Sequence, residues 1–87
     1  MAAIATNKFM DKRRLREEAE KYGCEIEHYH HRRKVFTLRK GSRWTFMMDP
    51  LTGQPIQRMR SVSITGWKEA IKKGAEYISS DSYREDI

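Results

Sequence analysis

The stretch from Arg32 to Met48, RRKVFTLRKGSRWTFMM, constrains this chain more than any other. Two runs of alternating β-type residues flank Lys40-Gly41-Ser42, which is the pattern of a β-hairpin. Successive strand residues face opposite ways, so such a run has one face to bury. Phe36 and Leu38, then Trp44 and Phe46, supply the apolar side and read as the floor of a core under the last helix. The other side and the ends carry charge: Arg32, Arg33, Lys34, Arg39, Lys40 and Arg43. Between His28 and Met48 no acidic residue occurs. A hairpin with an apolar back and a basic rim predicts a small domain that offers a sheet to a polyanion.

The flanking segments supply the rest of the fold. Asn7 or Asp11 can cap a helix that runs to about Tyr22, with Gly23 as its left-handed C-terminal residue. Leu15, Ala19 and Tyr22 share its narrow apolar face, and charged pairs four apart cover the remainder. Of those charges, Lys12, Arg13 and Arg14 are the least balanced and could reach phosphate, whereas residues 16–21 read as a solvated face. Strands are expected over about 24–30, 34–39 and 42–48. The run Asp49-Pro50-Leu51-Thr52-Gly53-Gln54-Pro55 has turn chemistry and ends the third strand. Residues 56–62 form a fourth strand or an extended return, with Arg58 and Arg60 pointing the same way. Thr65 is expected to cap a last helix over about 66–79, whose stripe is Trp67, Ala70, Ile71, Gly74 and Ile78. Gly74 is expected to let this helix lie close on the sheet.

The result is a single α+β domain over residues 7–79, with a flexible arm at 1–6 and a flexible acidic tail at 80–87. Its order is helix, three or four antiparallel strands, helix. Both helices are expected on one sheet face, leaving the other open. At 87 residues the chain can bury one thin core.

Against 12 Asp and Glu stand 18 Lys and Arg, a formal net charge of +6. That balance favours nucleic acid, whose condensed counterions are released when cations neutralise phosphates. Cys24 is the single cysteine, so an internal disulfide is excluded. The N-terminal run lacks a basic n-region and a long apolar core, and no stretch approaches the ~18 apolar residues of a membrane span. A cytoplasmic protein with no membrane partner is expected.

Catalytic chemistry finds little footing. Cys24, His28 and His30 would share one strand face, but no fourth ligand stands near, so neither metal nor cofactor is assigned. No nucleophile, acid–base pair or glycine-rich phosphate loop sits at a working spacing, and no enzyme is expected. The residues assigned to nucleic acid are Arg32, Arg33, Lys34, Arg39, Lys40, Arg43, Arg58 and Arg60. Arginine forks suit phosphate and the acceptors of guanine, and Trp44 could alternatively stack on a base.

The pieces Lys40-Gly41-Ser42-Arg43-Trp44, Asp49-Pro50-Leu51-Thr52-Gly53, Arg58-Met59-Arg60 and Trp67-Lys68-Glu69-Ala70 give residues 37–78 a resemblance to a known family. They resemble the arm-type DNA-binding domains of tyrosine integrases. In that family a three-stranded sheet enters the major groove, which implicates Arg39, Arg43, Arg58 and Arg60. The whole order also resembles the double-stranded-RNA-binding-domain-like fold, which includes HicA-type mRNA-interferase toxins. Those toxins carry Gly-Ser-His on a central strand; here Gly41-Ser42 is followed by Arg43.

The expected function is a small non-enzymatic nucleic-acid-binding protein of bacterial or bacteriophage type, binding DNA or RNA through a basic sheet face and loops. A phage-type inhibitor or adaptor acting on a host protein is the alternative. A ribonuclease toxin using His28, His30 or His31 is the third reading. The chain is expected as a monomer, or as a homodimer through a sheet edge.

Overall fold

The structure, a computed structural model, describes residues 9–28 and 34–83. The arm at 1–6, His30, His31, Arg32 and Arg33, and the end of the acidic tail lie outside the described residues.

Of the two candidate caps, Asp11 starts the first helix, α1 (Lys12–Glu20). Its carboxylate accepts from the Arg14 amide at 2.8 Å, satisfying one of the orphan N–H groups of the first turn. At the other end Gly23 adopts φ 71°. The Cys24 amide reaches back to the Ala19 carbonyl and the Gly23 amide to that of Glu20, each at 3.0 Å. That pair of bonds is a Schellman closure, and the buried Ala19 and Cys24 supply its apolar contact.

Three antiparallel strands follow in sequence order: β1 (Glu25–Glu27), β2 (Thr37–Lys40) and β3 (Arg43–Phe46). Each is shorter than its alternation suggested. Gly41, at φ 65°, turns β2 into β3 through a two-residue loop, so Lys40 lies opposite Arg43, Arg39 opposite Trp44 and Leu38 opposite Thr45. This register corrects the expected core floor. With Lys40-Gly41-Ser42 as a three-residue turn, Leu38 would face Trp44; with Gly41-Ser42 alone, it faces Thr45. A one-residue slip moves every side chain of a strand to the other face. Trp44 and Phe46 therefore share the helix-free face with Arg39 and Thr37, and are half-buried there. The floor under the helices is Phe36, Leu38, Met47 and Ile26 instead.

The ladder ends at a wedge. The Met47 amide donates to the Phe36 carbonyl at 2.9 Å, but the return bond is missing. Ile56 takes that place: its amide donates to Met47 O at 2.8 Å and its carbonyl accepts from Phe36 N at 2.9 Å. Ile56 thus forks the sheet and sits buried in the core. The segment after it is the extended return rather than a fourth strand among the described residues. It closes in one turn of 3₁₀-helix, Met59–Ser61.

The second helix, α2 (Ile64–Ile78), starts two residues earlier than expected. Ser63 caps it, accepting from the Gly66 amide at 3.0 Å, and Thr65 lies inside the first turn. Trp67, Ala70, Ile71, Gly74 and Ile78 are all buried, with Ala75 widening the stripe. A Cβ on Gly74 would stand 2.5 Å from Met47 Cε and 3.2 Å from Leu38 Cδ2. The bare glycine is what lets α2 press on the sheet. Leu15 and Ala19 of α1 join the same core, so both helices cover one face. The domain is α+β, in the order helix, three-stranded sheet, helix.

Candidate nucleic-acid interface

The helix-free sheet face was the expected binding surface, and its register places Glu25, Glu27, Thr37, Arg39, Trp44 and Phe46 there. Arg39 is not an available cation. Its Nη2 lies 3.2 Å from Glu25 Oε1 and 3.0 Å from Glu27 Oε2, both on the neighbouring strand. Two carboxylates around one guanidinium leave this part of the face without positive charge. Trp44 and Phe46 meet edge to face, with centroids 5.1 Å apart. Thr37 is buried, and its hydroxyl has no partner among the described residues.

Arg43 is committed elsewhere. Its Nη1 donates to the Ile78 carbonyl at 2.8 Å and to that of Ser80 at 3.3 Å, and its guanidinium lies over the Tyr83 ring. A cation bonded to the last carbonyls of a helix neutralises the negative end of its dipole. Lys40 extends past Gly23 at the hairpin end. Lys34 is exposed beside Gln54, Pro55 and Gln57. Lys40 lies opposite Arg43 across the hairpin, and Arg58 and Arg60 are exposed on either side of Met59. Arg32 and Arg33 lie outside the described residues.

A different cluster includes Met59, which lies between Arg58 and Arg60 in the chain. Lys12, Leu15 and Arg16 of α1, Ile26 and His28 after it, Phe36, and Met59 line one groove of about 190 Å³. Leu15, Ile26, Phe36 and Met59 make its floor apolar. Lys12 and Arg16 stand one helical turn apart on its rim and have no carboxylate within ion-pair distance among the described residues. Their neighbours do: Arg13 pairs with Glu17 at 3.3 Å and Arg14 with Asp11 at 3.8 Å. Arg60 lies over the Phe9 ring, 5.9 Å from its centroid. Lys12 belonged to the basic cluster noted in the sequence. Arg16 was absorbed into the solvated face by an anticipated pairing with Glu20.

Ring stacking and hydrogen bonds tie the groove wall together. His28 stacks on Phe36 with centroids 3.9 Å apart and planes 8° from parallel. Phe36 in turn meets Trp67 edge to face at 5.0 Å. Both ends of this ladder hold the return segment: Trp67 Nε1–H donates to Met59 O at 2.8 Å, and His28 Nε2–H donates to Gln57 O at 2.9 Å. A carbonyl can only accept, so Nε2 carries the proton. The clasp ties the segment that carries Arg58 and Arg60 to the core.

The sequence reading put Cys24 and His28 on one face, as the strand alternation has them. Cys24 is buried, its thiol donating weakly to Tyr22 O at 3.5 Å, and burial raises its pKa against a smaller opposing pull from Lys40. Among the described residues no group of three metal-ligating side chains comes together. No helix there is long and apolar enough to cross a membrane. No family model matches the chain, and neither a curated protein nor a solved structure matches it.

Proposed function

We propose that this chain is a small non-enzymatic nucleic-acid-binding protein whose phosphate contacts come from the groove edge of α1 and the 3₁₀ segment. The observation that carries this reading is a set of cations that have no carboxylate partner among the described residues. Lys12 and Arg16 rim the groove and Arg58 and Arg60 flank its Met59, while Arg13, Arg14 and Arg39 are internally paired. Unpaired cations on a fixed frame release phosphate counterions without first breaking an ion pair. This reading keeps Arg58 and Arg60 from the expected sheet-and-loop surface and replaces its sheet-face residues with Lys12 and Arg16 of the groove.

Salt dependence tests this directly. Four such contacts give a slope of log affinity against log salt near about −3 for single strands and about −3.6 for duplex. Lys12→Ala with Arg16→Ala should flatten the slope by about 1.4 to 1.8. Arg39→Ala should leave it unchanged. No binding of either DNA or RNA at low salt overturns the reading.

A protein-binding adaptor is the second reading, and Leu51 favours it. This leucine is 93% exposed at the tip of a well-bonded turn, with the 41%-exposed Met48 nearby. A stoichiometric protein partner retained after nuclease treatment, and lost on Leu51→Asp, would favour the adaptor.

A further inference from the structure

The groove has a feature that phosphate contacts alone do not use. The His28 imidazole is exposed, yet it is held on one face by Phe36 and at its edge by the Gln57 carbonyl. Among the described residues no other ring lies on its outer face. An aromatic side chain held this way loses little further rotamer freedom when something stacks on it, which removes one of the costs such contacts ordinarily carry. The space beside it, about 190 Å³ over Leu15, Ile26 and Met59, is below the size of a pocket for a drug-sized ligand. It suits one planar ring. Lys12 and Arg16 rise about 6 Å apart along α1, on the scale of one nucleotide step in an extended strand.

We propose that this groove takes one unpaired nucleobase of a single-stranded nucleic acid, stacked on the outer face of His28, with the adjoining phosphates on Lys12 and Arg16. The proposal rests on the nucleic-acid reading above and narrows it to single strands. A base inside a duplex has both faces covered by its neighbours and cannot use the platform; an unstacked base can, whatever its identity, because every base has a π-face. The floor is apolar, and the polar lining side chains other than His28, which are Lys12 and Arg16, are committed to phosphates in this proposal, so among the described residues no side chain is assigned to read a base edge. Binding is therefore tolerant of sequence and selective for strandedness.

The test compares a short oligothymidylate, an oligoadenylate and a duplex of equal length by fluorescence anisotropy, while NMR follows the His28 ring protons. Single strands should bind more tightly than duplex, and the His28 ring protons should shift upfield as a base stacks. His28→Ala should weaken single-strand binding about 5- to 150-fold, the cost of one stacked base, with the salt slope unchanged. His28→Phe, which keeps the aromatic face but loses the Gln57 bond, should retain most of the affinity. Unchanged heteronuclear spectra outside the groove check that each variant is folded. If neither single strand nor duplex binds, the nucleic-acid reading itself fails. If duplex binds as well as single strands, or His28→Ala is as tight as wild type, the platform is overturned and that reading stands. Equal losses in His28→Ala and His28→Phe would also overturn it, assigning His28 to the Gln57 bond alone.

Discussion

Arg43 shows how much a single side chain decides here. From sequence it stands beside Arg39 and Lys40 as part of a basic rim. In the fold its partners are the carbonyls at the end of α2, 35 and 37 residues away. A charged hydrogen-bond donor on a helix terminus contributes more than a neutral one. Arg43→Ala should lower stability by about 1–3 kcal/mol in chemical denaturation and leave nucleic-acid affinity untouched. A loss of affinity without a loss of stability would return Arg43 to the interface. Cys24 is the other residue with a measurable consequence. Its thiol is buried, and desolvation raises its pKa from the ordinary 9.0. The unfolded chain then ionises first as pH rises. Stability is unaffected by this group below about pH 9 and falls above it, because the unfolded state sheds the proton more readily. Urea titrations at pH 8 and pH 10 should show a drop that is smaller in Cys24→Ala. The same burial should make native Cys24 slow to react with iodoacetamide until denaturant is added.

At the level of elements, local signals carried well and a single residue of turn length did not. The Asp11 cap, the Gly23 closure and the Trp67–Ile78 stripe each depend on neighbours within one or two helical turns, so they are legible in the chain itself. Ser63 rather than Thr65 caps α2 because its hydroxyl meets an amide three residues on, a competition between two good capping residues that composition does not decide. The hairpin was legible as a hairpin. Its facing was not, because counting Lys40 into the turn reverses which side Trp44 and Phe46 occupy. Gly74 was correctly marked as a point of close approach, and it supplies a prediction at this scale. Gly74→Ala gains about 1 kcal/mol of helix propensity but drives a methyl toward Met47 Cε, a flexible side-chain end, so its net effect on Tm should be small. Gly74→Leu should cost about 1–3 kcal/mol, since Leu38 and Thr45 also stand within 4 Å and cannot all withdraw. A Gly74→Leu protein as stable as wild type would mean that α2 does not press on the sheet.

For the molecule as a whole, the candidate interface is the part that sequence reveals least. Net charge is visible in composition, but which cations are already spent is a tertiary fact. Arg39 is neutralised across the sheet, Arg43 is drawn to α2, and Met59 of the return segment lines the same groove as Lys12 and Arg16, with His28 and Trp67 tying that segment to the core. None of those ties lies within a helical turn in sequence, which is why periodicity carried no trace of them. The turn that precedes them behaves differently. Residues 49–54 are closed by their own bonds, Asp49 N to Gln54 O and Gly53 N to Asp49 O at 2.8 Å, with Leu51 N on Asp49 Oδ1 at 2.9 Å. Behind them the inserted Ile56 plugs the fork of the sheet, bonded to Met47 and Phe36. The turn is therefore a natural cargo position. A flexible peptide spliced between Leu51 and Thr52 lengthens a loop whose roots stay clamped, and each doubling of its length should cost only about 0.6 kcal/mol. Thermal melts of a graded insertion series would measure that slope. A shallow one makes this small domain a carrier for foreign epitopes or affinity tags at a turn that shares no lining residue with the groove of Lys12 and Arg16.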